Sequence, residues 1–176
     1  MSRFLQLHLL TFYPPSNLNR DDTGRPKTAT MGGAQRLRIS SQALKRAWRT
    51  SDGFAAALAD HRGLRTQRMG REMVAHLTAG GVAKDKAEAA TREVMPLFGK
   101  VNDAKDDHPV DTAQLAFISA WERAAAFAVA ERIAAGEKVD LKKEPVLQRT
   151  DTAADIAMFG RMLADAPDFN REAAVQ

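Results

Sequence analysis

Apolar and polar residues alternate through residues 4–12: Leu5, Leu7 and Leu9 on one side, Phe4, Leu10 and Phe12 on the other, interrupted by Gln6 and His8. A period of two with apolar residues on both faces predicts a strand inside a sheet. Pro14-Pro15 ends it, because proline cannot donate to a ladder. The pattern then disappears over residues 16–33, which are rich in Asn, Asp, Thr, Pro and Gly and read as a loop. That loop is longer than most connections, which points to a functional segment. Arg36-Leu37-Arg38-Ile39 adds a short extended piece, and at Ser40 or Ser41, good helix N-caps, the period changes. Over residues 42–50 Ala43, Leu44, Ala47 and Trp48 share one helix face and should pack inward, while Gln42, Lys45, Arg46 and Arg49 share the other.

After Gly53 the chain is alanine-rich and reads as helices over 54–60, 66–79, 83–98 and 112–135, stopped by Gly80-Gly81, Gly99 and Gly136. The longest lines up Leu115, Ile118, Glu122, Ala125, Val129 and Ile133. Residues 100–109 form a polar linker, 137–150 look irregular, and 155–163 read as a strand. One clear strand, weaker companions and four helices do not complete a sheet with two covered faces. The chain therefore reads as ending in mid-element at Ala173-Ala174-Val175-Gln176.

Composition narrows the class. Hydrophobic residues make up 44% and charged residues 27% of 176, ordinary values for a globular domain with one core. The absence of cysteine removes disulfides, thiolate metal sites and cysteine nucleophiles together. The N-terminus lacks the shape of a signal peptide, and no apolar run approaches the roughly eighteen residues of a membrane helix, so a cytoplasmic protein is expected.

Charge changes the picture more. Residues 1–50 hold nine Lys/Arg against Asp21 and Asp22, a balance of +7, so a chain of net +4 carries −3 in the remainder. Concentrating cations in one segment suits a polyanion. Arg and Lys neutralise phosphates, Asn, Ser and Gln supply neutral hydrogen bonds, and a helix start at Ser40-Ser41 offers backbone N–H groups. A solvated basic face and contact with an acidic protein remain as alternatives. Trp48 and Phe12 are candidate stacking platforms, but their apolar spacing favours core packing. Catalytic signals are sparse: His8, His61, His76 and His108 do not pair at metal-ligand spacing, and Gly32-Gly33 lacks the Lys-Ser/Thr of a phosphate loop. No cofactor is expected.

The residues Ser16-x-Leu18-Asn19-Arg20-Asp21, Gly32-Gly33, Arg38-Ile39-Ser40-Ser41-Gln42-x-x-Lys45-Arg46-Ala47-x-Arg49 and Asp155-Ile156-Ala157-x-Phe159-Gly160-Arg161-Met162 together resemble the CasC family. That family is the repeated backbone subunit of the type I-E CRISPR Cascade complex. The resemblance implies an α+β fold: a modified RNA-recognition-motif (ferredoxin-like) palm over 1–53, a helical finger over 54–150, and a return strand over 151–176, with the thumb absent. It also implies a non-enzymatic subunit whose copies stack along a guide RNA, other Cascade subunits as neighbours, and target DNA pairing through the guide. Asn19, Arg20, Ser40, Gln42, Lys45, Arg46 and Arg49 match positions expected to hold the guide backbone, with Lys27 and Arg38 beside them. Met162 matches a methionine expected to pack against bases at a kink; without the resemblance it reads as a core methionine. Family members are about twice as long. The rival from another class is a metal-dependent RNase of related architecture, with Asp21 or Asp22 as the catalytic carboxylate.

Overall fold

The computed structural model describes residues 4–9, 11–150 and 152–175. The chain divides into two compact units, one ending at Trp48 and one starting at Arg49.

In the first unit the segment predicted as a strand over 4–12 forms no ladder where it is described, with Leu10 outside the described residues. Phe4, Leu5, Leu7, Leu9 and Phe12 stand 70–94% exposed, so Phe12 is not a core residue. A pleated apolar segment becomes a strand only when another strand satisfies its backbone groups. Among the described residues there are two two-stranded sheets, and neither includes this segment.

The stretch expected to be loop is instead folded. Arg20 bridges Pro26, and Asp21 Oδ1 accepts from Thr23 N (2.8 Å), Thr23 Oγ1 (2.8 Å) and Arg25 N (2.9 Å), which closes a tight turn. β1 (Thr28–Met31) then pairs antiparallel with β2 (Ala34–Leu37), Met31 opposite Ala34. The two residues between, Gly32 (φ 63°) and Gly33 (φ 76°), both lie in the left-handed region that a type I′ hairpin turn demands. α1 (Ser41–Thr50) follows, with Ser40 Oγ accepting from Ala43 N at 3.3 Å as its cap. Its apolar face is only partly covered: Ala43 and Leu44 are half-buried, whereas Ala47 is exposed and Trp48 is 41% exposed. The inward packing expected of all four holds for the first two.

The second unit holds the core. α2 (Asp52–Ala57) and a 3-10 turn over 59–61 lead to β3 (Leu64–Thr66), which pairs antiparallel with β4 (Ala116–Ile118). α3 (Met69–Ala79), α4 (Lys84–Val94) and α5 (Ala120–Ala134) pack against one another. They bury Met69, Met73 and Leu77 against Ala87, Ala90, Val94, Ala126, Phe127 and Ala130. Alanine at the contacts explains the tight association, since helix separation follows side-chain size.

The helices predicted over 66–79 and 112–135 are shorter than expected, because β3 takes residues 64–66 and β4 takes 116–118. α5 starts at a complete capping box, Ser119 Oγ accepting from Glu122 N and Glu122 Oε2 accepting from Ser119 N. The strand expected over 155–163 is a helix, α6 (Ala154–Phe159). Ile156 and Phe159 turn inward at i,i+3. Gly160 (φ 75°) ends the helix with Arg171 O 2.7 Å from where a Cβ would sit. Among the described residues no helix is long and apolar enough to cross a membrane.

Candidate nucleic-acid interface

The hairpin and the helix start are joined by short hydrogen bonds through several of the residues expected to grip the guide. Lys27 N donates to Asn19 O (2.7 Å), Arg38 N donates to Lys27 O (2.8 Å), and Ser40 N donates to Asn19 Oδ1 (2.8 Å). Four residues spread over 19–40 are thus locked into one backbone network, with Asn19 as its hub. Its side-chain oxygen is used by the fold, so Asn19 positions Ser40 rather than presenting a free acceptor.

The cations stand on this frame. Arg20 and Arg38 are exposed and Lys27 and Lys45 half-buried, and none of the four makes an ion pair among the described residues. Arg46 and Gln42 are exposed on α1. The amides of Ala43 and Leu44 are taken by Ser40 Oγ and Ser40 O, which leaves the first-turn N–H groups of Ser41 and Gln42 for an outside acceptor. Asp21, one of the two acids in residues 1–50, is consumed by the turn. Hydrogen bonds from Thr23 and then Arg25 hold its carboxyl below the ordinary 3.8. Among the described residues no three His, Asp or Glu side chains converge as a metal site would require.

Two expected residues, Arg49 and Met162, lie in the second unit. Arg49 is drawn into protein. Its Nη2 donates to Asp155 O (3.0 Å) and Gly160 O (2.9 Å), its Nε stands 3.6 Å from Asp155 Oδ2, and its guanidinium lies 4.0 Å above the Phe117 ring. Burial lowers its pKa from the ordinary arginine value, and Asp155 partly restores it. A helical wheel groups Arg49 with Lys45, but it does not show that a carboxylate over a hundred residues away reaches that point. Met162 is 78% exposed between buried Arg161 and Leu163, so it is not a core methionine.

Sequence reading missed the neighbours of Arg49. Arg62 Nη1 donates to Arg49 O (3.3 Å), and Arg65, on β3 opposite Phe117, places its guanidinium 5.8 Å from the same ring. The signal was present as Arg62-x-x-Arg65-x-x-Arg68-x-x-Arg71, a run with no acid inside it.

Fold and interface define a class: an α+β chain with small antiparallel sheets that carries a basic loop–hairpin–helix segment and a helical core. The chain belongs to the CT1975-like protein family, whose model matches residues 5–176. It is similar to two solved structures described as a CRISPR RNA-guided surveillance complex and as the same kind of complex in a pre-nicking state. The first shares 31% identity (TM-score 0.66) over 93% of this chain and 54% of that one. The second shares 32% identity (TM-score 0.67) over 92% and 47%. The chain thus spans about half the length of the structures it matches. No curated protein matches it. The resemblance to the CasC family read from the motifs is borne out at this level.

Proposed function

We propose that the chain is part of a backbone subunit of a type I-E CRISPR RNA-guided surveillance complex, gripping the phosphate backbone of a guide RNA. The observation that carries this reading is the network centred on Asn19. It fixes the loop, hairpin and helix start as one frame, on which Arg20, Lys27, Arg38 and Lys45 stand without an ion pair among the described residues. A backbone already fixed spares the cost of ordering the loop on binding, and phosphate contacts hold a strand without reading its bases. Ser41 and Gln42 N–H groups add a helix-terminus site for one phosphate oxygen. Exposed Met162 is suited to pack against an unstacked base, and Gln42 and Arg46 extend the contact along α1.

In the whole protein, copies stack along the guide and leave bases free to pair with target DNA. Residues 1–53 contribute to an RNA-recognition-motif-like palm and residues 54–150 form the helical finger. The subunit holds RNA and does not cut it, which fits the use of Asp21 as a turn-maker.

The test is to express the protein with its neighbouring genes, purify it and sequence the nucleic acid that accompanies it. A uniform RNA of guide length, left intact on adding Mg²⁺, is expected. A folded protein free of RNA, or cleavage of the bound RNA that disappears in Asp21→Ala, would overturn the reading.

A further inference from the structure

The geometry points to a second phosphate-binding surface on the β3–β4 ribbon, built by Arg65 with Arg62 and Arg49, that takes the backbone of a nucleic-acid strand. It rests on the nucleic-acid reading above but uses residues outside the Asn19 frame.

Two guanidiniums share one ring, and a third arginine reaches the backbone of the first. Arg49 and Arg65 share the Phe117 ring at 4.0 and 5.8 Å, and Arg62 donates to the Arg49 carbonyl. Among the described residues the one carboxylate in ion-pair contact with any of them is Asp155. That carboxylate is already committed, since Asp155 Oδ1 accepts from Gly63 N at 2.6 Å and Oδ2 lies 3.6 Å from Arg49 Nε. Two positive charges, Arg49 and Arg65, therefore face one negative charge, with Arg49 partly desolvated, where like charges repel more strongly than in water. The Nε atoms of Arg49 and Arg62 are buried and lack a hydrogen-bond partner. The repulsion is felt within the cluster, because Arg65 pushes Arg49 in the same direction as burial does. A fold that holds such an excess in place gains from an anion.

Phosphodiester suits this site, since the reading it rests on already brings a nucleic-acid polyanion to the protein. The donors are all arginine, whose forked N–H groups match phosphate oxygens in pairs. Exposed Arg68, two residues beyond the strand, adds a further cation to the same segment. Exposed Leu64, beside Arg65, gives a base or sugar an apolar surface. The strand is either the guide or the target, and the shared chemistry is the phosphate.

The experiment measures binding of labelled single-stranded RNA and DNA of one sequence to the intact protein against salt concentration. Arg65 is exposed, so Arg65→Gln should leave the melting temperature unchanged. It should flatten the logarithmic salt slope by about 0.7, the value for one phosphate contact on a single strand. Arg65→Lys, which keeps the charge, should retain the slope if the protein's fold is intact. A loss on RNA alone assigns the guide, a loss on DNA alone assigns the target, and a loss on both assigns a surface for either strand. An unchanged slope on both ligands overturns the inference. Lys45→Gln, measured alongside, separates the two readings: if it flattens the slope while Arg65→Gln does not, only this inference falls. If neither variant changes the slope, the proposed function falls with it.

Discussion

Glu122 shows how much one buried side chain can carry. It is fully buried, caps α5 through Ser119 N, and pairs with Arg161 through two bonds of 2.6 and 2.7 Å. Arg161 in turn donates to Phe117 O and Phe169 O. Removing one partner strands a charge, so Glu122→Ala should cost about 3–5 kcal/mol in urea unfolding. Replacing both with Glu122→Met and Arg161→Leu should cost much less. Asp21 carries a smaller, pH-dependent load. Its folded-state value is depressed, so its contribution is present above the ordinary 3.8 and is lost as pH falls through the lower folded value. The amide resonances of Thr23 and Arg25 should therefore hold steady down to about pH 4 and move only below it. At this scale the sequence was a partial guide. Ser40 as cap could be read from local chemistry, whereas the capture of Arg49 by Asp155 depends on a tertiary contact that no local pattern encodes.

Elements were legible where a single period or a terminator dominated. α1, α3 and α4 lie within a few residues of their predicted ranges because caps, glycines and helical spacing agree. The misses are short apolar runs, whose period is ambiguous. The pattern over 155–163 predicts a strand, yet the i,i+3 pair Ile156 and Phe159 buries as a helix. Gly32-Gly33 reads in sequence as the end of a loop, although its two positive φ angles make it the pivot of a hairpin. Gly32→Val should destabilise that hairpin by about 1–2 kcal/mol, seen as loss of cross-strand contacts between Met31 and Ala34 in NMR spectra. Gly70 in α3 is more constrained, because a Cβ there would lie 1.9 Å from Val110 O. Gly70→Ala should accordingly displace the 110–111 backbone and strain the Arg71–Asp111 ion pair, lowering the melting temperature of the helical unit.

For the whole molecule, apolar exposure and basic charge are concentrated in the first unit. Phe4, Leu5, Leu7, Leu9 and Phe12 expose far more apolar surface than scattered single residues do. The chain by itself should bind a hydrophobic dye and self-associate, and Leu7→Asp with Leu9→Asp should suppress both without shifting the melting temperature. Arg38→Gln with Lys45→Gln should flatten the salt slope for single-stranded RNA by about 1.4, for two phosphates released. The exposure of Phe4, Leu5, Leu7, Leu9 and Phe12 does not follow from local pattern, since alternation marks a strand only where another strand pairs with it. The link between Glu122 and Arg161 also sets where the protein can be cut or exchanged. A graft of residues 54–150 into a relative would carry the carboxylate and leave its guanidinium behind, so the helical region is portable only if the stretch through Arg171, which bridges back to Arg161, travels with it.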